Sequence, residues 1–207
     1  MNPVYNYSIV QGSEEWLNIK IGKFSASTAD CLLMDKKLKG YQGLIDRIVE
    51  ERITGQRCEN GFKGNFATDR GNELEAIARQ DYELRNLQSV KLIGVVELDD
   101  WTLCSPDGLI DEDGLHQIKC PLFSTHKEYL SLLKEDKQVI DAKYYKQMQF
   151  ELFVTGRDYN VFTSFHPYLR AIDIRLERDE AMIAEIGKRL AEAKIEVENE
   201  INRIKNL

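Results

Sequence analysis

The chain has 207 residues, of which 43% are hydrophobic and 30% are charged, a composition typical of folded globular proteins and unlike that of disordered chains. This length suits one compact domain, so we predict a single domain over residues 1–207. The formal net charge of −7 disfavours indiscriminate binding of nucleic acid, so any DNA site must be a local group of basic residues and metal ions.

The location and the cysteines are predicted from simple patterns. No apolar run reaches the roughly 20 residues that a transmembrane helix needs, and the N-terminus lacks the charged-then-apolar pattern of a signal peptide. We therefore expect a cytoplasmic protein without a membrane contact. Because the cysteines are scattered and no Cys-x-x-Cys pair occurs, we predict buried thiols rather than ligands of zinc or an iron–sulfur cluster. The cysteines are Cys31, Cys58, Cys104 and Cys120.

The first 84 residues are predicted to be mainly helical. A turn over residues 22–27 precedes a short helix that begins near Ser25 or Ser27, whose hydroxyl would cap it. Apolar residues at helical spacing predict helices over residues 41–53 and 67–84. A polar, glycine-containing loop at residues 55–64 separates these two helices.

From residue 90 onwards strands and helices alternate in blocks. The order of the elements predicts an α/β fold with a central mixed β-sheet, helices on both faces and a long C-terminal helix. The first four strands are expected to form a tight antiparallel meander. The predicted strands span residues 90–98, 101–105, 109–110, 115–120, 159–165 and 171–176, and the predicted helices span residues 124–134, 141–154 and 179–205.

The segment from residue 105 to residue 121 carries the most informative chemistry. Side chains alternate along a strand, so Gln117 and Lys119 face one side while Ile118 faces the core, and the preceding turn brings Asp107 near them. A metal-dependent nuclease needs two carboxylates to hold Mg²⁺ and a lysine to stabilise developing negative charge. The alternative is that Pro106-Asp107-Gly108 is an ordinary β-turn and that Lys119 is a solvated strand residue.

Five segments of the chain together resemble, in order and spacing, the motifs of one protein family. The family is the lambda exonuclease or YqaJ-type viral recombinase group, which has the restriction-endonuclease-like fold and the motif PD-(D/E)xK. The resemblance covers about residues 11–167 and implies a restriction-endonuclease-like core. The segments are residues 16–27, 70–75, 105–108, 118–121 and 147–149.

The resemblance implies a magnesium site with two ions, for which Mn²⁺ is an alternative cation. Its implied ligands are Asp107, the side chain of residue 117, the backbone carbonyl of Ile118, and Glu75 at the end of a Gly-x-x-x-Glu segment. Lys119 is the implied catalytic lysine. Against this stands the observation that a glutamate on a helix surface is most often simply solvated.

The resemblance also implies a site for the 5′-terminal phosphate of DNA. Lys20 and Ser27 would bind it, with Ser25 beside them. In the family's Gln-x-Gln motif, Gln147 is the preferred donor to this phosphate and Gln149 the second candidate. The alternative is that the serines cap a helix, that Lys20 lies on the surface, and that the glutamines form an ordinary polar helix face.

This chain departs from the family pattern at three of these positions. Lys20 stands where the family has arginine and Ser25 where it has threonine, so phosphate capture loses the bidentate guanidinium. Gln117 stands where the family has glutamate, and an amide brings no negative charge to a cation. Three explanations compete: a deliberate Glu→Gln change, a natural variant rescued by another acid such as Glu75, and a natural non-catalytic relative. We favour the deliberate change because it alters one chemical group only.

The resemblance implies a Mg²⁺-dependent 5′→3′ exonuclease that degrades double-stranded DNA to mononucleotides, leaves 3′ single strands for recombination, and is disabled here by Gln117. It implies DNA ends as substrate, a ring-shaped homotrimer, a partner that anneals the single strand, and the bacterial host cytoplasm if a phage encodes the chain. Two alternatives remain open: a nuclease of different polarity or endonucleolytic action, and an inactive protein that binds DNA ends.

Overall fold

The computed structural model describes the backbone of residues 2–58 and 66–207 and the side chains of residues 2–58 and 73–207. Most of the loop predicted at residues 55–64 therefore lies outside the described residues. The side chain of Asn72, in the predicted Gly-x-x-x-Glu segment, lies outside them as well.

The predicted long helices are present and have recognisable ends. Asp141 caps one of them by accepting a hydrogen bond from the Lys143 N–H, and Gly156 ends it in the left-handed conformation with φ 72°. Asp179 caps the C-terminal helix through the N–H groups of Ala181 and Met182. The described helices are α1 (Glu14–Asn18), α2 (Ala29–Leu32), α3 (Lys39–Thr54), α4 (Phe66–Asn86), α5 (Phe123–Lys134), α6 (Ala142–Thr155) and α7 (Glu180–Lys205), with a 3₁₀ turn at Ala26–Thr28.

The predicted mixed α/β fold with flanking helices and a long C-terminal helix is confirmed, and its strands are divided between two mixed sheets. One sheet has four strands in the order β1-β4-β5-β2, and the other has five in the order β3-β6-β7-β8-β9. In the second sheet β7 pairs with β6 antiparallel and with β8 parallel. The strands are β1 (Val4–Asn6), β2 (Phe24–Ser25), β3 (Val90–Lys91), β4 (Val95–Asp99), β5 (Thr102–Cys104), β6 (Gly108–Ile110), β7 (Gly114–Lys119), β8 (Tyr159–His166) and β9 (Leu169–Glu177).

The predicted continuous meander between residues 90 and 120 is wrong, because the chain changes sheet twice there. It leaves the five-stranded sheet after β3, forms β4 and β5 in the other sheet, and returns with β6. Gly94 lies at the first crossing, where its N–H donates to the Asn6 carbonyl at 3.1 Å. The second crossing lies at residues 105–107, so Asp107 stands at the boundary between the two sheets.

The main core lies between the four-stranded sheet and helices α3, α6 and α7. Tyr41 and Ile48 of α3 and Phe150 of α6 are fully buried there, as is Ile186 of α7. On the other side of β7, Ile118 packs in a smaller cluster with Ala78 of α4 and Phe165 of β8. Ile118 therefore faces a core, as its position in the strand predicts, and Gln117 and Lys119 line a cleft.

Two further expectations concern the thiols and the helices. Only Cys104 is buried among the four cysteines, whereas Cys31, Cys58 and Cys120 are partly exposed. The prediction of buried thiols is therefore wrong for three of them. Among the helices in the described part of the chain, none is both long enough and apolar enough to cross a membrane.

Two Gly→Ala substitutions should change stability in opposite directions. A Cβ at Gly94 would lie 2.1 Å from the carbonyl oxygen of Ile9, so Gly94→Ala should lower the free energy of unfolding by about 2 kcal/mol. Gly43 is exposed in α3 with open space around it, so Gly43→Ala should raise that free energy by about 0.5 kcal/mol. Urea denaturation of both variants measures this, and equal stabilities would contradict the close approach at Gly94.

Candidate active site

A cleft of about 830 Å³ gathers most of the residues that the sequence singled out. Its lining comes from both sheets, from the segment around the 3₁₀ turn, and from helices α4 and α6. The side chains that converge here therefore come from distant parts of the chain. The candidates that line the cleft are Lys20, Ser25, Ser27, Glu75, Asp107, Gln117, Ile118, Lys119 and Gln147.

Asp107 is held against strand β7 by its backbone and its side chain. Its N–H donates to the His116 carbonyl at 3.0 Å. Its Oδ2 accepts from the Ile118 N–H at 2.6 Å and from Gln117 Nε2 at 2.5 Å. Gln11, which sequence reasoning missed, also braces this turn, because its Nε2 donates to the Pro106 carbonyl at 2.9 Å. The carboxylate of Asp107 therefore has a fixed place at the junction of the two sheets.

Gln117 is part of a chain of side-chain amides that leads away from Asp107. It is 1% exposed, and its Oε1 accepts from Gln147 Nε2 at 2.7 Å. The same nitrogen donates to Glu151 Oε1 at 3.1 Å, and Asn160 Nδ2 donates to Glu151 Oε2 at 2.8 Å. Both hydrogens of Gln147 Nε2 are thus used within the protein. A contact between this group and a phosphate requires that one of these bonds exchange.

Glu151 is a cleft residue that sequence reasoning missed. Its side chain is fully buried, with 0% exposure, although it lines the cleft. A signal was present, because Glu151 lies four residues after Gln147 in α6 and so occupies the same face of the helix. Burial, followed by the charge of Asp107, raises the pKa of Glu151 to about 7.

Carboxyl groups crowd the cleft. Burial, followed by the charge of Asp107, raises the pKa of Glu75 to about 7. Burial also raises the pKa of Asp107, against the opposing attraction of Lys119. Together with Glu151, three acidic groups therefore bind protons more readily than usual. The first cause is burial, and a divalent cation in the cleft would stabilise the charged forms of these groups.

The donor set fits a hard divalent cation only in part. Carboxylate oxygens of Asp107 and Glu75 are the ligands that Mg²⁺ and Mn²⁺ prefer. Gln117 directs its nitrogen to Asp107 and its oxygen to Gln147, so the amide offers no oxygen next to Asp107 in this arrangement. Within the described residues, no three His, Cys, Asp or Glu side chains form a group that could hold a metal ion.

Lys20, Ser25 and Ser27 form a small basic and hydroxyl-bearing part of the cleft. The Lys20 ammonium lies 3.0 Å from the centroid of the Trp16 ring, and burial lowers the pKa of Lys20 to about 7. The hydroxyls of Ser25 and Ser27 are 3.0 Å apart. Ser25 also stands at the N-cap of the 3₁₀ turn, so it has a structural role as well. Two hydroxyls and a lysine that line the same cleft suit an anion such as a phosphate.

Gln149 differs from the expectation that it contacts DNA. It is fully buried, and its Nε2 donates to the Glu177 carbonyl at 2.8 Å. Its Oε1 accepts from the Asp179 N–H at 3.0 Å. Residues two positions apart in an α-helix point in different directions, so Gln149 does not share the cleft-facing side of α6 with Gln147. Gln149 therefore ties α6 to the start of α7 and lies outside the cleft.

Solved structures of exonucleases resemble this chain over most of its length. LHK-Exo, an alkaline exonuclease from Laribacter hongkongensis, superimposes with a TM-score of 0.82 and 32% identity over 94% of this chain and 97% of that chain. Its complex with dAMP gives a TM-score of 0.81 and 31% identity over the same shares. A phage-related exonuclease from Haemophilus somnus 129PT shares the fold, with a TM-score of 0.69 and 16% identity over 88% of this chain and 96% of that chain.

The sequence was also compared with curated proteins and with protein families. A search of the curated proteins finds no match. Residues 15–158, however, match the YqaJ-like viral recombinase domain, which agrees with the resemblance found in the motifs. The mixed α/β fold with a long C-terminal helix is likewise that of the alkaline exonuclease structures. The chain therefore belongs to the YqaJ-like viral recombinase family.

Proposed function

We propose that this chain is a Mg²⁺-dependent 5′→3′ exonuclease of double-stranded DNA whose activity is reduced by Gln117. The observation that carries this proposal is the cleft in which Asp107, Glu75 and Lys119 converge beside the hydroxyls of Ser25 and Ser27. The resemblance to LHK-Exo, an alkaline exonuclease whose structure with dAMP is known, supports the same chemistry. A mononucleotide such as dAMP is also the product that we expect from an exonuclease.

The cleavage step follows from the groups in the cleft. Asp107 and Glu75, with the backbone carbonyl of Ile118, would hold one or two Mg²⁺ ions, or Mn²⁺. A cation held by these groups would polarise the scissile phosphate and lower the pKa of a coordinated water. Lys119 stabilises the negative charge that develops during attack, and its ammonium lies 5.2 Å from the centroid of the Tyr144 ring. Asp107 is presented to the cation by its hydrogen bond from the Ile118 N–H.

The 5′→3′ polarity of digestion follows from the part of the cleft that would bind a terminal phosphate. Lys20, Ser25 and Ser27 bind the 5′-terminal phosphate, and Gln147 joins them when it exchanges one of its internal hydrogen bonds. A strand held by its 5′ phosphate is cut next to its end, which releases one nucleotide and leaves a 3′ single strand.

We further propose that the enzyme is a ring-shaped homotrimer. It would act in the cytoplasm, which is that of a bacterial host if a phage encodes the chain, and a partner protein would anneal the single strand. The single domain of residues 1–207 would carry all of this activity.

A second candidate function is favoured by the hydrogen bond between Gln117 and Asp107. Gln117 Nε2 donates to Asp107 Oδ2 at 2.5 Å and thereby occupies a carboxylate oxygen that a cation would otherwise use. With this bond intact, the chain would bind DNA ends without cutting them. The three explanations of Gln117 predict different activities for the chain as it stands. They are a deliberate change, a natural variant rescued by another acid, and a natural non-catalytic relative.

Restoring a carboxylate at position 117 should raise metal-dependent digestion. In Gln117→Glu two carboxylates would face each other at the junction of the sheets, and the cation that relieves their repulsion is also the catalytic one. We expect kcat to rise by about two orders of magnitude, since stabilisation by a metal is worth several kcal/mol. Release of acid-soluble nucleotide from linear duplex DNA with Mg²⁺ measures this.

The matched control is the double variant Gln117→Glu with Asp107→Asn, which keeps the restored glutamate but removes the fixed carboxylate. It should remain inactive at every Mg²⁺ concentration. If Gln117→Glu itself digests no DNA while it still binds duplex ends, the second candidate function is correct and the nuclease proposal fails.

The substrate should need a free, phosphorylated 5′ end. We expect digestion of linear duplex DNA and none of covalently closed circular DNA, with preference for 5′-phosphate over 5′-hydroxyl ends. Lys20→Met and Ser27→Ala should each reduce that preference by about tenfold, because charge-assisted hydrogen bonds to phosphate are lost. Cutting of closed circles would instead indicate an endonuclease, and 3′-labelled ends released first would indicate the opposite polarity.

The preference for a 5′ phosphate should weaken as the pH rises. The pKa of Lys20 is about 7 in the free protein, so the ammonium that attracts the phosphate loses its proton above that pH. We expect the ratio of kcat/KM for 5′-phosphate over 5′-hydroxyl ends to fall about tenfold between about pH 7 and about pH 9. Lys20→Arg should keep the ratio constant, since arginine stays charged. The same fall in both proteins would assign the effect to another group.

A further inference from the structure

Glu151 is buried more completely than its partners explain. Its carboxyl has 0% exposure and accepts from two neutral amides, at 3.1 Å from Gln147 Nε2 and at 2.8 Å from Asn160 Nδ2. Among the side chains that the structure describes, none forms an ion pair with it. A buried acid without an ion pair destabilises a fold, and an apolar residue would serve packing better. Its presence beside the cleft therefore calls for a role in the cleft.

The carboxylate of Glu151 decides which way the neighbouring amides point. Above its pKa of about 7, Glu151 is a carboxylate that only accepts hydrogen bonds, so it must face the nitrogen of Gln147 rather than its oxygen. That nitrogen also donates to Gln117 Oε1 at 2.7 Å. The nitrogen of Gln117 is then directed to Asp107 Oδ2. Reversing either amide would bring two oxygens together at hydrogen-bonding distance.

The chain of hydrogen bonds therefore runs between two acids. It begins at Asp107 in the turn between the sheets, passes through the amides of Gln117 and Gln147, and ends at Glu151 in α6. Buried hydrogen bonds in series strengthen one another, and both hydrogens of Gln147 Nε2, at the centre of this chain, are used. An amide nitrogen facing residue 117 also suits a glutamate at that position, because it donates to a carboxylate equally well.

We propose that Glu151 is a positioning residue, which makes Gln147 present an N–H group to residue 117 and thereby holds residue 117 against Asp107. It acts through Gln147 and touches neither metal nor DNA. The orientation itself is independent of catalysis, whereas its effect on cleavage rests on the proposed function.

Side-chain amide NMR signals test the orientation without any need for activity. In the full-length protein at one pH well above the pKa of Glu151, Glu151→Gln should shift the ¹H–¹⁵N side-chain signals of Gln147 and of Gln117, although Gln117 does not contact residue 151. Hydrogen exchange of both groups should become faster. Gln149 is the matched internal control, because its buried amide is bonded to Glu177 and Asp179 instead and its signals should stay in place.

Unchanged Gln117 signals in a folded Glu151→Gln protein would overturn the proposal, since the carboxylate would then not fix the orientation beyond its own contact. If Glu151→Gln does not fold, Asn160→Asp offers a second test. This substitution replaces the other donor to Glu151 with an acceptor, and it should move the same two glutamine signals. Their constancy in that variant would equally contradict the proposal.

Kinetics test the consequence for cleavage. In the Gln117→Glu background, Glu151→Gln should lower kcat about tenfold, as loss of a group that orients catalytic residues does, while KM for DNA ends is unchanged. Presence of the NMR effect with normal kcat would reject the catalytic consequence alone. If Gln117→Glu itself digests no DNA, the proposed function is rejected, and the NMR result alone decides the orientation.

Discussion

The hydrogen bond from the Ile118 N–H to the carboxylate of Asp107 is the contact on which the cleft depends. It joins the turn where the chain passes between the two sheets to strand β7, which carries Gln117 and Lys119. A side chain fixed at both its backbone and its carboxylate loses little further entropy when it binds a cation. The fold therefore supplies a preorganised acid at the junction, and the helices add the groups around it.

The distribution of charge explains how an acidic protein can act on DNA. The net charge of −7 repels phosphate over most of the surface, while the cleft combines crowded carboxyls with Lys20 and Lys119. Burial, followed by repulsion from the charge of Asp107, raises the pKa values of Glu75 and Glu151. A divalent cation removes that repulsion and, in the proposed function, links the protein to the phosphodiester. Recognition then depends on metal and a terminal phosphate rather than on a broad basic surface.

Sequence reasoning succeeded where a pattern is local. Helical spacing, with Gly156 at the end of α6 and Asp179 at the start of α7, placed these two helices, and strand alternation placed Ile118 in a core. It failed where the partner lies far along the chain. The break at Gly94 moves β3 and β4 into different sheets because of a contact with Ile9, and no local pattern in the sequence signals that contact. The short strands β1 and β2, which pair with β4 and β5 far along the chain, were missed for the same reason, and so was Glu151, which is bonded to Asn160 in β8.

The central claim is that Asp107 and Glu75 hold a divalent cation at the junction of the two sheets. Anomalous diffraction from crystals grown with Mn²⁺ and a 5′-phosphorylated duplex tests it most directly. The account predicts an anomalous peak within about 2.5 Å of a carboxylate oxygen of Asp107, and loss of that peak in Asp107→Asn. An ordered Asp107 and a bound DNA end without any peak near the carboxylate would contradict it.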